Sequence, residues 1–315
     1  MLLVIVLILA VLIILLGAYI TYRIAFYAPK HITDEEVKYH LPSGPAYQNF
    51  QKELKACVES MLARSFEPVT ITTFDGKKLY ARYYHTENHA PVHIIFHGYK
   101  SNAILDCGGG TAYAVKLGHN VLVVDQRSHG KSEGKAITFG VKERKDCLCW
   151  IHYVLNRFGS DTKIILSGLS MGAATVLMAL DLDLPRNVVG VIADCPYSSP
   201  SAIIKKVCRV EMHLPSSLMY PLVKLGARLF AGFDLEESSA IDAVRNTTLP
   251  VLLIHGEAAG FVPCDMSREM QKANPSTVSL LTIPNAEHAL CFTVAPEQYE
   301  EAVTAFIKKV TASIG

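Results

Sequence analysis

A serine lies at the centre of the run Gly168-Leu169-Ser170-Met171-Gly172, between a predicted strand and a predicted helix. Glycines on both sides permit a tight strand-to-helix turn, because they remove the Cβ atoms that would collide there. Such a turn lifts the serine hydroxyl out beside the N-terminus of the following helix, where developing negative charge is stabilised. The pattern predicts that Ser170 is the nucleophile of an acyl-transfer reaction.

Histidine is the expected general base for such a serine, and in this arrangement it follows the serine along the chain. Of the 12 histidines, three follow Ser170, namely His213, His255 and His288. His213 lies in a predicted insertion. His255 ends a strand directly before Gly256, where a role in the turn is expected. His288 follows the last predicted strand and can reach the same edge of the sheet, so we predict that it is the general base.

A second turn is expected to help hold the oxyanion. His97-Gly98-Tyr99 directly follows another predicted strand. The backbone N–H groups of Tyr99 and Met171 are expected to point at the developing charge. His97 is predicted to be a structural residue of that turn.

The elements that position these residues are predicted from hydrophobic runs. Runs at 69–74 and 79–84 flank Asp75-Gly76, which is a hairpin signal. Runs rich in β-branched residues at 93–96, 121–124, 164–166, 188–192, 251–254 and 278–283 are typical of buried parallel strands. Segments between them have helical spacing, among them 143–158, with Gly159 as its C-cap. This alternation predicts an α/β fold, with a mostly parallel central sheet and helices on both faces.

The chain divides into a tail and a body. Residues 22–64 are predicted to be a tether and an opening helix, and residues 65–315 one domain. Residues 196–248 interrupt the alternation with helical pieces only, which is typical of a small helical cap over a site. A surface excursion is the alternative interpretation.

The N-terminal segment is expected to anchor the protein in a membrane. Residues 1–21 contain no charged side chain and are long enough for one transmembrane helix. A cleaved signal peptide is the competing interpretation, but no basic residue precedes the run and no typical cleavage site follows it. Arg23 and Lys30 follow the span, so the positive-inside rule predicts a cytoplasmic catalytic domain.

Several motifs together resemble the α/β-hydrolase superfamily, in its serine-aminopeptidase-like or lysophospholipase-like group. They are His97-Gly98-Tyr99, the run from Asp125 to Gly134 (similar to D-x-R-x-H-G-x-S-x-G), the Ser170 elbow, His255-Gly256 with Val262-Pro263, and His288. The resemblance covers roughly residues 65–312. The anchor is similar to that of bacterial membrane-tethered relatives.

One position departs from the pattern of this family. The resemblance implies a triad aspartate in the loop that follows His255-Gly256, but that position holds Ala259. An alanine can neither orient an imidazole nor stabilise its cation. Asp194, after strand 188–192, is the best candidate for a relocated acid, although a structural role in its turn is an equal alternative. Glu257 and Asp265 are off register. An inactivating substitution, or slow chemistry by Ser170 and His288 alone, are the other interpretations.

The expected function is therefore a membrane-anchored serine hydrolase acting on an ester-type acyl substrate, with lipids among the candidate substrates. The alternatives are an acyltransferase or aminopeptidase-type enzyme on the same fold, and a catalytically weak acyl-ligand binder. No cofactor or metal is implied, since the eight cysteines have no zinc-like spacing. A net charge of +1 predicts no nucleic-acid partner.

Overall fold

The computed structural model describes residues 1–28, 34, 36, 37 and 40–312. Lys30, which the orientation argument used, lies outside the described residues. The strands are β1 (Glu67–Thr72), β2 (Lys78–Tyr84), β3 (Val92–Phe96), β4 (Asn120–Val124), β5 (Ile164–Leu169), β6 (Val188–Asp194), β7 (Val251–Gly256) and β8 (Val278–Ile283). The α-helices are α1 (Leu2–Ala25), α2 (Gln51–Ala63), α3 (Ala103–Asp106), α4 (Gly108–Lys116), α5 (Glu143–Phe158), α6 (Met171–Met178), α7 (Pro200–Lys206), α8 (Ser216–Gly226), α9 (Ala240–Asn246), α10 (Asp265–Ala273), α11 (Cys291–Val294) and α12 (Pro296–Ala312).

The eight strands form one sheet in the order β1-β2-β4-β3-β5-β6-β7-β8. The first two strands pair antiparallel, and β2 also pairs antiparallel with β4. All other pairs are parallel. The predicted mostly parallel α/β sheet is therefore confirmed. The parallel arrangement brings the carboxyl ends of β3, β5, β6 and β7 to one edge, where loops can meet.

The sheet is buried on both faces, as its uniformly apolar strands require. One face packs against a core that includes Trp150 and Ile151 of α5, both fully buried. The other face packs against Phe306 and Ile307 of α12. Helix α5 begins and ends where the periodicity predicts, and Gly159 at its C-cap donates its N–H to Leu155.

Helical pieces and no strand lie between β6 and β7 in the described structure, within the insertion predicted at 196–248. A short 3₁₀ helix (Pro45–Phe50) precedes α2, and π-helical turns extend α7 as Val207–Glu211 and α8 as Ala227–Ala231. Pro221 lies inside α8.

The apolar helix α1 continues to Ala25 and joins the body without a break. Phe26, the next residue, is fully buried and packs edge-to-face on Phe139 and Phe233, with ring centroids 5.6 and 5.3 Å away. The Phe26 carbonyl accepts a 2.8 Å hydrogen bond from the Ile137 N–H. By length and composition α1 could cross a membrane, and only 6% of its most apolar window is buried.

Candidate active site

Ser170 lies on a strained turn between β5 and α6. Its backbone adopts φ 54° and ψ −112°, a conformation that L-residues rarely take. Such strain costs about 1–3 kcal/mol and is typical of functional positions. A Cβ atom at Gly172 would lie 2.1 Å from the Phe96 carbonyl oxygen, and one at Gly168 would lie 2.3 Å from Gly172. The turn therefore requires glycine on both sides of the serine, as the sequence pattern predicts.

His288 is within hydrogen-bond distance of the serine. It lies in the loop after β8, and its Nε2 is 2.9 Å from the Ser170 hydroxyl oxygen. Burial lowers the pKa of His288 to about 3. The ring is therefore neutral near pH 7, so that Nε2 can accept the serine proton. Its buried Nδ1 has no hydrogen-bond partner among the described residues.

Ala259 lies where its loop faces the histidine loop. On one side of it, the Ala258 N–H donates to the Ala286 carbonyl at 3.1 Å. On the other side, the Gly260 N–H donates to the Glu287 carboxylate at 3.1 Å. Ala259 itself is buried and offers a methyl group, which cannot accept the proton on Nδ1 of the histidine.

Asp194 is close to the nucleophile through its backbone, since its carbonyl accepts a 2.8 Å hydrogen bond from the Ser170 N–H. Desolvation by burial raises the pKa of its carboxyl group to about 6, and the neighbouring side chains of Cys195, Cys291 and Tyr299 partly oppose that shift. One carboxyl oxygen has no partner in the described part of the chain. Asp194 lines the same cavity as His288 without a hydrogen bond between the two side chains.

The other candidate acids and histidines of the sequence analysis form contacts outside the Ser170–His288 pair. Glu257 and Asp265 both pair with Arg268, at 3.3 and 3.0 Å. His255 is fully buried and bonded to Ser267 and Val262, which is the turn-supporting role predicted for it. His213 is exposed in the cap.

The predicted oxyanion donors border the serine. A Cβ atom at Gly98 would lie 3.5 Å from the Ser170 Cβ, so the turn that carries Tyr99 abuts the nucleophile. Within the described residues, neither the Tyr99 N–H nor the Met171 N–H has a hydrogen-bond acceptor. Both amides are therefore available to a substrate oxygen.

Asp106 is a residue of this turn that the sequence reasoning missed. One of its carboxylate oxygens accepts the Gly98 N–H at 2.7 Å, and the other accepts the Ser101 hydroxyl at 2.6 Å. Burial raises its pKa. The carboxylate fixes the His97–Gly98 peptide, one residue before the Tyr99 N–H. In the sequence, the only local signal of this contact is an acidic residue eight positions after the His-Gly turn.

The motif between Asp125 and Gly134 supports the turn at residues 97–100 through hydrogen bonds. The Gln126 N–H donates to Nε2 of His97 at 3.0 Å, and the Lys100 N–H donates to Nε2 of His129 at 3.1 Å. Arg127 makes two 2.6 Å hydrogen bonds to Asp146. These contacts hold the strand ends and do not reach Ser170, so the motif is structural.

A cavity of about 450 Å³ opens at Ser170 and His288. Its apolar walls include Leu54, Ile95, Leu105, Phe261, Phe292 and Val303. Part of its cover comes from the segment before β1, where the Tyr47 hydroxyl donates to the His288 carbonyl at 3.1 Å. The sequence predicted only a tether and an opening helix here and placed the cover of the site at 196–248, a segment that contributes no residue to the lining of this cavity.

One group of three potential metal ligands exists among the described residues. The ligand atoms of Asp194, Cys195 and Cys291 lie within 4.8 Å of one another. All three residues are buried, and the sulfur atoms of Cys195 and Cys291 lie 3.9 Å apart.

Comparison with known proteins agrees with this geometry. The sequence model of the family described as "Serine aminopeptidase, S33" matches residues 87–230. The uncharacterized protein YqkD of Bacillus subtilis (strain 168) is 28% identical over 254 residues, which cover 79% of this chain and 83% of that protein. The uncharacterized protein YfhR of Escherichia coli (strain K12) is 26% identical over 192 residues, 60% of each chain.

Solved structures share the fold. The Pyrococcus furiosus esterase Pf2001 superposes with a TM-score of 0.64 and 25% identity, covering 86% of this chain and 96% of that one. Est1E from Butyrivibrio proteoclasticus, solved with ferulic acid bound, superposes with a TM-score of 0.59 and 23% identity, covering 78% of this chain and 100% of that one. With its strained serine elbow on a mostly parallel sheet, this chain is a member of the α/β-hydrolase superfamily.

Proposed function

We propose that this protein is a serine hydrolase that cleaves an ester-type acyl bond. The observation that carries the proposal is the 2.9 Å contact between Ser170 Oγ and His288 Nε2 at the strained elbow. The esterase function named for Pf2001 supports the same bond type. The apolar cavity walls suit the hydrocarbon part of an acyl substrate.

The reaction follows from the positions of these groups. Ser170 Oγ attacks the acyl carbonyl carbon while His288 Nε2 takes the hydroxyl proton. The Tyr99 and Met171 amides donate to the resulting oxyanion. The tetrahedral intermediate collapses, the alkoxide leaves with the proton from His288, and the acyl group stays on Ser170. Water, deprotonated by His288, then releases the acid and restores the serine.

Ala259 sets the expected rate. In serine proteases, replacing the acid of the triad lowers turnover by about 10⁴-fold, because the imidazolium loses its partner. In this protein Nδ1 of His288 has no hydrogen-bond partner among the described residues, and burial lowers the pKa of the ring, so that its cation is poorly stabilised. We therefore propose a slow hydrolase in which Ser170 and His288 act as a pair.

A fluorophosphonate probe tests this proposal. The wild-type chain is expected to be labelled, and Ser170→Ala is expected to lose the label. Turnover of p-nitrophenyl esters of increasing chain length would establish the acyl preference. Aminoacyl p-nitroanilides cleaved faster than esters would indicate a peptidase instead, and acyl transfer to an added alcohol or amine in preference to water would indicate an acyltransferase.

The second candidate function is a hydrolase-like binder of acyl ligands. The specific observation in its favour is the alanine that faces the histidine loop, since a binder needs no triad acid. A chain that resists the fluorophosphonate probe but retains a fatty acid or ester in its cavity would establish this function and overturn the first.

The proposed location is a membrane, with α1 as a single span and the body on the cytoplasmic side. Arg23 in the last turn of α1 supports this orientation, and the eight free cysteines suit a reducing compartment. Protease added to intact cells should leave the body uncut, and protease added after lysis should degrade it. Degradation in intact cells would place the body outside.

A further inference from the structure

The cap carries an exposed apolar surface beside the apolar helix. We define the cap face by the six side chains Val210, Met212, Leu214, Leu218, Leu229 and Phe230. Their exposed fractions range from 36% at Leu214 to 65% at Leu218. An apolar surface of this kind marks an interaction site in a soluble domain.

Helix α1 packs closely on the cap at its C-terminal half. A Cβ atom at Gly226 would lie 2.4 Å from the Ala18 carbonyl oxygen, so the two helix backbones nearly touch. The Thr21 hydroxyl donates to the Leu222 carbonyl at 3.1 Å. Small residues and an interhelical hydrogen bond are typical of helix packing inside membranes.

The two helices run side by side in the same direction. Gly226 lies against Ala18 and Thr21, whereas Leu222 lies against Gly17. Moving toward the start of α8 therefore moves toward the start of α1. Leu218 precedes Leu222 by one turn, which places it about 5 Å further along α1 toward the N-terminus.

The length of the exposed part of α1 determines how deep the cap lies in the bilayer. Residues 2–16 are all exposed, whereas Gly17 and Ala18 are covered by the body. Fifteen residues span about 22 Å, but a bilayer hydrocarbon core is about 30 Å thick. If α1 crosses the bilayer, about 8 Å of the segment packed against the cap must also lie in hydrocarbon.

We propose that the cap face inserts into the bilayer beside α1, so that the lipid acyl region covers it. This inference rests on the proposed membrane span. A depth of about 8 Å agrees with interfacial helices, which bury their apolar face to a depth of about 5–10 Å. Tyr19 and Tyr22, which stack on Phe230, then lie at the headgroup level, where aromatic side chains accumulate.

Quenching by brominated lipids tests the inference on the full-length chain in phosphatidylcholine vesicles. The single native tryptophan, Trp150, is fully buried and gives a constant background. Leu218→Trp should be quenched by lipids brominated on the acyl chain. Lys272→Trp, at an exposed position on α10, is the matched control and should not be quenched. Leu218 is exposed, so a larger ring there leaves the fold intact.

Leu9→Trp, in the middle of α1, separates the two proposals. Quenching at Leu9 and at Leu218 supports both. If Leu9→Trp is quenched but Leu218→Trp is quenched no more than the Lys272→Trp control, the inserted cap is overturned and the membrane anchor remains supported. The cap face would then be covered by protein. An absence of quenching at Leu9 overturns the membrane span, and the inserted cap with it.

Discussion

The Tyr99 hydroxyl donates a 2.8 Å hydrogen bond to the carbonyl of Ala25, the last residue of α1. Lys100 repeats the connection, because its ammonium group donates to the Ile24 carbonyl at 3.0 Å. The last carbonyls of a helix have no partner within the helix and need such donors. The end of the apolar helix is therefore capped by the same turn whose Tyr99 N–H is the proposed donor to the substrate oxyanion.

Removal of the Tyr99 hydroxyl should misplace the oxyanion donor. Tyr99→Phe keeps the ring against Phe139, 5.1 Å away, but loses the bond to Ala25. One hydrogen bond contributes about 1 kcal/mol, so we expect kcat to fall by up to about fivefold with KM nearly unchanged. Steady-state ester hydrolysis measures both. Tyr197→Phe is the control, since the Tyr197 hydroxyl has no partner in the described structure. Equal effects in the two variants would contradict the prediction.

Restoring the acid should raise activity. Ala259→Asp places a carboxylate in the loop that faces the histidine loop, and we expect kcat to rise at least a hundredfold, about 2.7 kcal/mol in barrier. The carboxylate also stabilises the imidazolium, so the acid limb of the pH–rate profile should move upward from about 3. Ala259→Asn is the matched control without charge. A profile that does not move would show that the new carboxylate does not reach His288.

The unfolding free energy should depend on pH through Asp194. Its folded pKa is about 6 against a model value of 3.8, so the folded state binds the proton more tightly. Stability is therefore greatest below pH 4 for this group and falls by about 3 kcal/mol as the pH rises to 6. Asp194→Asn should remove this fall, which urea unfolding at several pH values measures.

Activity of the same variant addresses the relocated acid. Because no hydrogen bond joins Asp194 to His288, we expect Asp194→Asn to change kcat by less than tenfold. A loss of three or more orders of magnitude would assign the triad acid to Asp194 instead.

Phe26 should contribute strongly to stability. Truncation of a fully buried phenylalanine costs about 3–5 kcal/mol, because it leaves a cavity as well as losing apolar burial. Phe26→Ala should therefore lower the melting temperature of the body by several degrees. Leu62→Ala, at a 40% exposed position, is the comparison and should have little effect. Matching melting temperatures would mean that the body folds without this anchor point.

The strands of the parallel part of the sheet were predictable from their continuous apolar runs, and α5 was predictable from its apolar residues at helical spacing. The run at 164–166 and the glycines around Ser170 predicted the elbow, since that turn is specified by neighbours in sequence. Helix α4 was not predicted, because Gly108, Gly109 and Gly110 disfavour helix in isolation. In the fold, α4 lies so near α2 that a Cβ atom at Gly108 would be 3.0 Å from the Cys57 carbonyl oxygen.

The missed parts of the site depend on contacts between distant segments. Tyr47 meets His288 across 241 residues, and the Tyr99 bond to Ala25 spans 74. Neither contact leaves a periodic or local pattern. The alanine at the expected acid position was visible in the sequence. Which side chain faces His288 Nδ1 was not predictable, because it depends on how the loops that carry Ala259 and His288 pack together.

Because Phe26 is buried directly after α1, the helix is joined rigidly to the body. A chain held at a flexible joint could turn its cavity toward any ligand that passes. Here the aromatic contacts at Phe26 and the donors at Tyr99 and Lys100 leave no such joint between helix and domain. In the proposed membrane arrangement, tilting α1, by a change in bilayer thickness or by a neighbouring helix, would therefore tilt the whole body with it.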